Sequence, residues 1–237
     1  MTLLAWHPGP PAGSSAAVLL HGWGEDGGAW ASWQEPLAEA GFTASSVDLP
    51  GHGGSADLEK PRGVDPAAWA AEAITVDLAR ARIERPFLVG HGQGGMVAAH
   101  TATHVDVGAL VLIDPDDRPP PPHATEAAGA LRDASARLWT AEAAELVAQV
   151  RGRGHDRRVL AEWLEEAAWP SPPRLRAIVV PTLVVVGSTD PLRARAPRFA
   201  AGFRNGHLAT AAGTADPPLG GAAVREIVVR FLSGEVG

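Results

Sequence analysis

The chain has no cysteine, no tyrosine and one lysine, Lys60, among 237 residues. Without cysteine there are no disulfides, no thiolate metal ligands and no cysteine nucleophile. No apolar run reaches the roughly 18 residues that a bilayer-spanning helix needs. No basic segment followed by an apolar one opens the chain, so a signal peptide is not expected and a cytoplasmic location is. The formal charge of −7 argues against a broad phosphate-binding surface, which makes nucleic acid an unexpected partner. No metal-ligand pattern or cofactor-binding motif is evident, so neither metal nor cofactor is expected.

What is present is a hydrophobic content of 46%, enough for the core of one α/β domain. Continuous apolar runs at 17–21, 43–48, 87–90, 109–114, 182–187 and 208–212 read as strands buried on both faces. Helical patterns lie between them, around 30–40, 66–83, 94–103, 191–203 and 222–232. The alternation predicts a doubly wound, mostly parallel sheet. It breaks between Asp117 and Ala177, where a proline run, Pro119–Pro122, precedes helix patterns only. Val159, Leu160, Trp163, Leu164 and Ala167 recur at helical spacing, and Leu131, Leu138 and Trp139 suggest a second face. The expected division is therefore a core of residues 1–116 and 178–237 with a small helical cap, 117–177. Helices inserted there would overlie the carboxyl ends of the strands, where open α/β sheets bind ligands.

Three loops follow three strands. They are His21-Gly22-Trp23-Gly24, then Val47-Asp48-Leu49-Pro50-Gly51-His52-Gly53-Gly54-Ser55, then Gly90-His91-Gly92-Gln93-Gly94-Gly95. A fourth, Gly187-Ser188-Thr189-Asp190-Pro191-Leu192, follows the strand at 182–187. In this order and spacing the chain resembles the α/β-hydrolase fold. The third loop then corresponds to the nucleophile elbow, usually G-x-S-x-G, with Gly92 in the serine position.

The resemblance implies an oxyanion hole built from backbone N–H groups of Trp23 and Gln93. Such donors need no side chain at position 92. It also places the acid of a catalytic triad at Asp190, although Asp190 can equally cap the helix after Pro191. The triad histidine would fall near Asp216, in a loop without histidine. Asp216 is either a helix cap or a substitute base, and His207, earlier, reads as the edge of the last strand. His21, Gly22, His91 and Gly92 would line the substrate site, with His91 expected to pack rather than move protons. His52 reads as structural, and His123 and His155 as exposed. Of the eight tryptophans, Trp30, Trp33 and Trp69 suit the core, whereas Trp23 with one of Trp139, Trp163 or Trp169 could wall an aromatic pocket. The basic run 151–158 reads as a solvated loop, or as a site for an anionic carrier protein.

A missing nucleophile and a missing base make serine hydrolysis an unexpected activity. The expectation is direct transfer of an aromatic or hydrophobic acyl group from a thioester or carrier protein to a thiol or amine. Such a reaction belongs to natural-product biosynthesis. A lyase, cyclase or isomerase acting on a hydrophobic small molecule, a non-catalytic binding protein, and a hydrolase disabled by an introduced glycine are the other readings.

Overall fold

The computed structural model describes residues 3–213 and 221–235. Seven strands form one sheet: β1 (Ala5–Pro8), β2 (Ser15–Leu20), β3 (Phe42–Asp48), β4 (Phe87–His91), β5 (Ala109–Ile113), β6 (Thr182–Gly187) and β7 (Gly206–Ala211). Their spatial order is β1-β3-β2-β4-β5-β6-β7, with β1 antiparallel to β3 and every other pair parallel. This is the α/β-hydrolase fold. The β1 strand has no counterpart among the expected strands. Its four residues end in proline at the sheet edge, where a missing N–H costs no ladder bond.

Alternation within each strand divides the core in two. Val18, Leu20, Leu88, Leu110, Leu112, Val184 and Val186 point to one side of the sheet. There they meet α2 (Pro66–Ala81), α3 (Gln93–Ala102) and α8 (Ala196–Ala200). Ala17, Leu19, Val89, Val111, Ile113, Leu183 and Val185 point to the other, under α1 (Ala31–Glu39) and α9 (Gly221–Leu232). A strand covered on both faces has no polar side, so its sequence reads as an unbroken apolar run.

Residues 117–177 contain α4 (Pro122–Arg132), α5 (Ala141–Gln149), α6 (Arg157–Glu166) and α7 (Pro172–Ala177), and no strand. Leu131 belongs to α4, but Leu138 and Trp139 fall in the connection to α5, so the expected shared face does not exist. α6 packs in two directions. Leu160, Ala161 and Leu164 join a small core with α4 and α5, while Val159 and Trp163 enter the main core beside α2. Burying Trp163 on the main-core side ties the insertion to the sheet domain.

The chain leaves β2 towards β3 on one side, and β4 pairs on the other. The crevice at the carboxyl ends of β2 and β4 is therefore the switch point of the sheet, the place where such folds receive ligands.

Candidate active site

The loop after β4 turns abruptly into α3 at Gly92, whose backbone has φ 51° and ψ −117°. That conformation is strained for any residue with a side chain. The neighbours impose it. A Cβ on Gly90 would lie 2.4 Å from the Gly94 carbonyl oxygen, and one on Gly94 would lie 2.3 Å from the oxygen of Leu20. Only glycine allows β4, α3 and β2 to approach so closely. The Gly92 N–H donates to the Ile113 oxygen at 2.9 Å, fixing the elbow to β5. A Cβ on Gly92 itself would meet nothing within 4 Å. The elbow thus has its shape and open space above it, without the side chain that usually fills that space.

The loop after β2 faces this elbow across the crevice. Its backbone is fastened at nearly every polar group. Gly22 N–H donates to Glu25 Oε2 at 2.8 Å, and Gly24 N–H to His52 Nε2 at 3.2 Å. The Trp23 oxygen accepts from Gln149 Nε2 at 3.3 Å, and the Gly24 oxygen from Arg153 and His155 at 3.2 and 3.3 Å. Trp23 Nε1 reaches the Leu160 oxygen at 3.0 Å. One donor of this loop and one of the first turn of α3 are left over, the latter as at any helix start. Among the described residues, neither Trp23 N–H nor Gln93 N–H has a partner.

Three histidines support the loop, His21 and His52 buried and His155 half-buried, and their hydrogen bonds fix their protonation. His21 donates through Nδ1 to the Gly22 oxygen at 2.7 Å and accepts Leu49 N–H at Nε2 at 2.9 Å. His52 donates to the Pro50 oxygen and accepts from Gly24. His155 accepts Gly53 N–H at Nδ1 and donates to the Gly24 oxygen. Each ring has one donor and one acceptor nitrogen, so each must be neutral. Burial lowers the affinity of all three for a second proton, most strongly at His52.

The expected exposure of His155 is therefore corrected. The run 151–158 is also no free loop: Arg153 and His155 grip Gly24, Asp156 N–H bonds to the Gly51 oxygen, and Arg157 reaches the Ala130 oxygen. Arginine-rich sequence reads as solvated because charge is visible in sequence and backbone carbonyl acceptors are not.

Between elbow and insertion lies a cleft of about 250 Å³. Gly22, Trp23, His91, Gly92 and Gln93 line its base, and Met96, Pro119–Pro121, Ala124, Trp163, Leu164 and Ala167 its apolar walls. Trp163 is 1% exposed and donates to the Pro50 oxygen at 3.1 Å; Gln93 Nε2 donates to the Trp163 oxygen at 2.9 Å. At the rim, Arg118 forms a two-pronged pair with Asp116, at 2.8 and 2.6 Å. Burial raises the proton affinity of Asp116, but its bonds to Arg118 outweigh this and hold it ionised.

Of the expected site residues, Gly22, Trp23, His91, Gly92, Gln93 and Trp163 meet at this cleft, and His21 lies directly beneath the loop. Trp139 does not. It is 72% exposed, with Arg137 stacked on its ring, and it lies outside the cleft lining. Asp190 is also elsewhere. It caps the turn Pro191–Ala194, accepting Leu192 N–H at 2.7 Å, and lines a separate depression with Ser188 and Thr189. Asp216 lies outside the described residues. His207 is an exposed residue of β7, as its sequence position indicates.

Glu25 is the residue that sequence reasoning missed. Its Oε2 lies 3.4 Å from His91 Nδ1, with both side chains sheltered, at 12% and 15% exposure. Burial alone would raise its proton affinity, but the hydrogen bond with His91 and that from the Gly22 N–H hold the carboxyl below its usual range. His91, expected to pack, also faces this carboxylate and lines the cleft. Among the described residues no cluster of side chains is arranged to hold a metal ion, and no helix is long and apolar enough to cross a membrane.

The chain belongs to the alpha/beta hydrolase family, whose model matches residues 17–227. Within that family its relatives include the pimeloyl-[acyl-carrier protein] methyl ester esterases of Vibrio vulnificus and Chromobacterium violaceum. The first is 40% identical over 87 residues, 37% of this chain and 31% of the relative. The second is 42% identical over 99 residues, 40% and 35%. The matched segments thus span about a third of the length of these relatives. Among solved structures, MenH from S. aureus superposes with a TM-score of 0.76 at 18% identity, covering 100% of both chains. The enol-lactonase from Burkholderia xenovorans LB400 gives 0.75 at 21%, covering 97% of this chain and 96% of that one.

The esterase relatives overturn the expected non-hydrolytic acyl transfer. That expectation counted only the absent serine and histidine. It could not see a carboxylate and an imidazole brought together from residues 66 positions apart.

Proposed function

We propose that this protein is a hydrolase of activated acyl esters or thioesters, binding an apolar acyl group in the cleft above Gly92. The observation that carries the reading is the pair of uncommitted N–H groups, Trp23 and Gln93, flanking open space at the switch crevice. One free donor comes from the loop after β2 and the other from the first turn of α3, and the two together are suited to an oxyanion. Donors of this kind are worth about 3–4 kcal/mol each to the transition state. The carbonyl oxygen would sit between them, and Met96, Trp163 and Leu164 would cover the acyl chain. His21 and Gly22 hold the loop in place. The helical segment 117–177 acts as the cap of this site. Asp190 keeps the role of a turn cap.

Gly92 offers no nucleophile, so the chain is a divergent member in which water attacks the carbonyl directly and no acyl-enzyme forms. The names of the esterase relatives support substrates presented by an acyl carrier protein.

Purified protein incubated with aryl esters and acyl thioesters in ¹⁸O-labelled water tests this. The expected result is slow, enzyme-dependent release of acid carrying one labelled oxygen, with no burst and no covalent acyl adduct by mass spectrometry. Absence of acid release from every ester and thioester, or an acyl adduct, would overturn it.

A further inference from the structure

We propose that His91, oriented by Glu25, is the general base that deprotonates the attacking water. The inference rests on the hydrolytic reading above. It supplies that reading with a base from outside the usual positions of a triad.

The geometry selects His91 by elimination along the cleft. Asp116 is committed to both prongs of Arg118. His21, His52 and His155 have both ring nitrogens bonded and must stay neutral for structural reasons. His91 is the histidine that lines the cleft, beside Gly92 and Gln93. Its Nδ1 faces Glu25, and its Nε2 has no partner among the described residues. A carboxylate on one nitrogen fixes the tautomer, so Nδ1 carries the proton and Nε2 presents a lone pair.

Glu25 is itself fixed by the Gly22 N–H at 2.8 Å, in the loop that holds the Trp23 donor. Base and oxyanion donor therefore share one rigid support. A Cβ on Gly22 would lie 2.7 Å from His91 Nδ1, so the absence of a side chain there lets the imidazole lie against the loop. The Glu25–His91 separation of 3.4 Å is long for a hydrogen bond. Such contacts often tighten when substrate fills a site.

The proton balance closes without any other group. His91 Nε2 takes one proton from water as its oxygen bonds to the acyl carbon, and the carbonyl becomes an oxyanion facing Trp23 and Gln93. Glu25 stabilises the imidazolium. The intermediate collapses with cleavage of the bond to the leaving oxygen or sulfur. The imidazolium returns its proton to that atom, leaving the acid and a free alcohol or thiol.

The test compares wild type, His91→Gln and Glu25→Gln on an aryl ester and an acyl thioester across pH, in H₂O and D₂O. Melting curves check that each variant is folded. General bases contribute about 10²–10⁴-fold, so His91→Gln should lower kcat at least about 100-fold with little change in KM. It should also abolish the acid limb of the rate profile and the solvent isotope effect. Glu25→Gln keeps an acceptor for Gly22 but removes the charge. It should lower kcat about tenfold, a smaller share of the same effect, and move the acid limb.

A folded His91→Gln that keeps wild-type kcat and its acid limb would overturn the base while leaving hydrolysis standing. If His91→Gln does not fold, an unmoved acid limb in Glu25→Gln overturns the dyad. A wild type that hydrolyses neither substrate ends both readings.

Discussion

Two carboxylates lie at the carboxyl edge of the sheet, and they do different work. Asp190, after β6, occupies the position where the fold usually keeps a triad acid, yet among the described residues it has no imidazole partner and it caps a short turn. Glu25, after β2, lies in a loop with no such expectation, yet it faces an imidazole in the cleft. The difference teaches that the carboxylate paired with an imidazole at the cleft is the one the crevice holds, not the one the sequence position suggests. Where β2 and β4 diverge, backbone donors, open space and a His–carboxylate pair converge, and a group needs all three to take part in acyl chemistry.

The largest test of this asymmetry is structural. Trp163 closes the crevice end from α6, and Trp163→Ala should cost about 3–5 kcal/mol in urea unfolding. Leu208, on β7 at the opposite edge, is 40% exposed. Leu208→Ala should cost under about 1 kcal/mol. Equal costs would show that the insertion does not tie down the crevice.

Acid should also strike the crevice first. The folded-state proton affinities of His21, His52 and His155, and of buried His100 on α3, are lowered, so the unfolded chain binds protons that the folded one refuses. Their contribution to stability is complete above the ordinary histidine value of about 6.5 and declines as pH falls below it. The slope is at most about 1.4 kcal/mol per pH unit for each histidine. Glu25, Asp48 and Asp116, all held below the usual carboxylate range, add a second loss below about pH 4. Urea midpoints from pH 8 to 5 measure the first loss, and His52→Gln should flatten it. A flat profile in the wild type would contradict the neutral, bonded cluster.

Smaller again is the other carboxylate. Asp190→Ala should cost about 1 kcal/mol through the lost cap and leave kcat within about a factor of two. A loss as large as that of His91→Gln would return the triad acid to its usual place and break the comparison.

Much of this fold was legible because strands buried on both faces leave continuous apolar runs, and the elbow was legible because close backbone approach demands glycine. The edge strand β1 was not, since Ala5-Trp6-His7-Pro8 carries no apolar run and ends in proline. Among the inserted helices, α6 showed its face clearly, whereas α4 and α5 are alanine-rich and their periodicity is weak. Trp139 looked like a pocket wall because an aromatic residue signals burial in sequence, but it falls between helices. The Glu25–His91 pair was hidden for a different reason. His91 lies in the elbow motif but Glu25 belongs to none, and only the strand order brings the loops after β2 and β4 together. Asking which loops meet at the switch point would have found it.

The elbow also has a historical meaning. Its curvature is enforced by Gly90, Gly94 and the bond to Ile113, none of which depends on what stands at position 92. A hydroxymethyl group could therefore be gained or lost there by one substitution, without rebuilding the turn. The turn itself is therefore indifferent to the side chain at position 92, and in the hydrolase proposed above the same backbone would serve with or without a hydroxyl there.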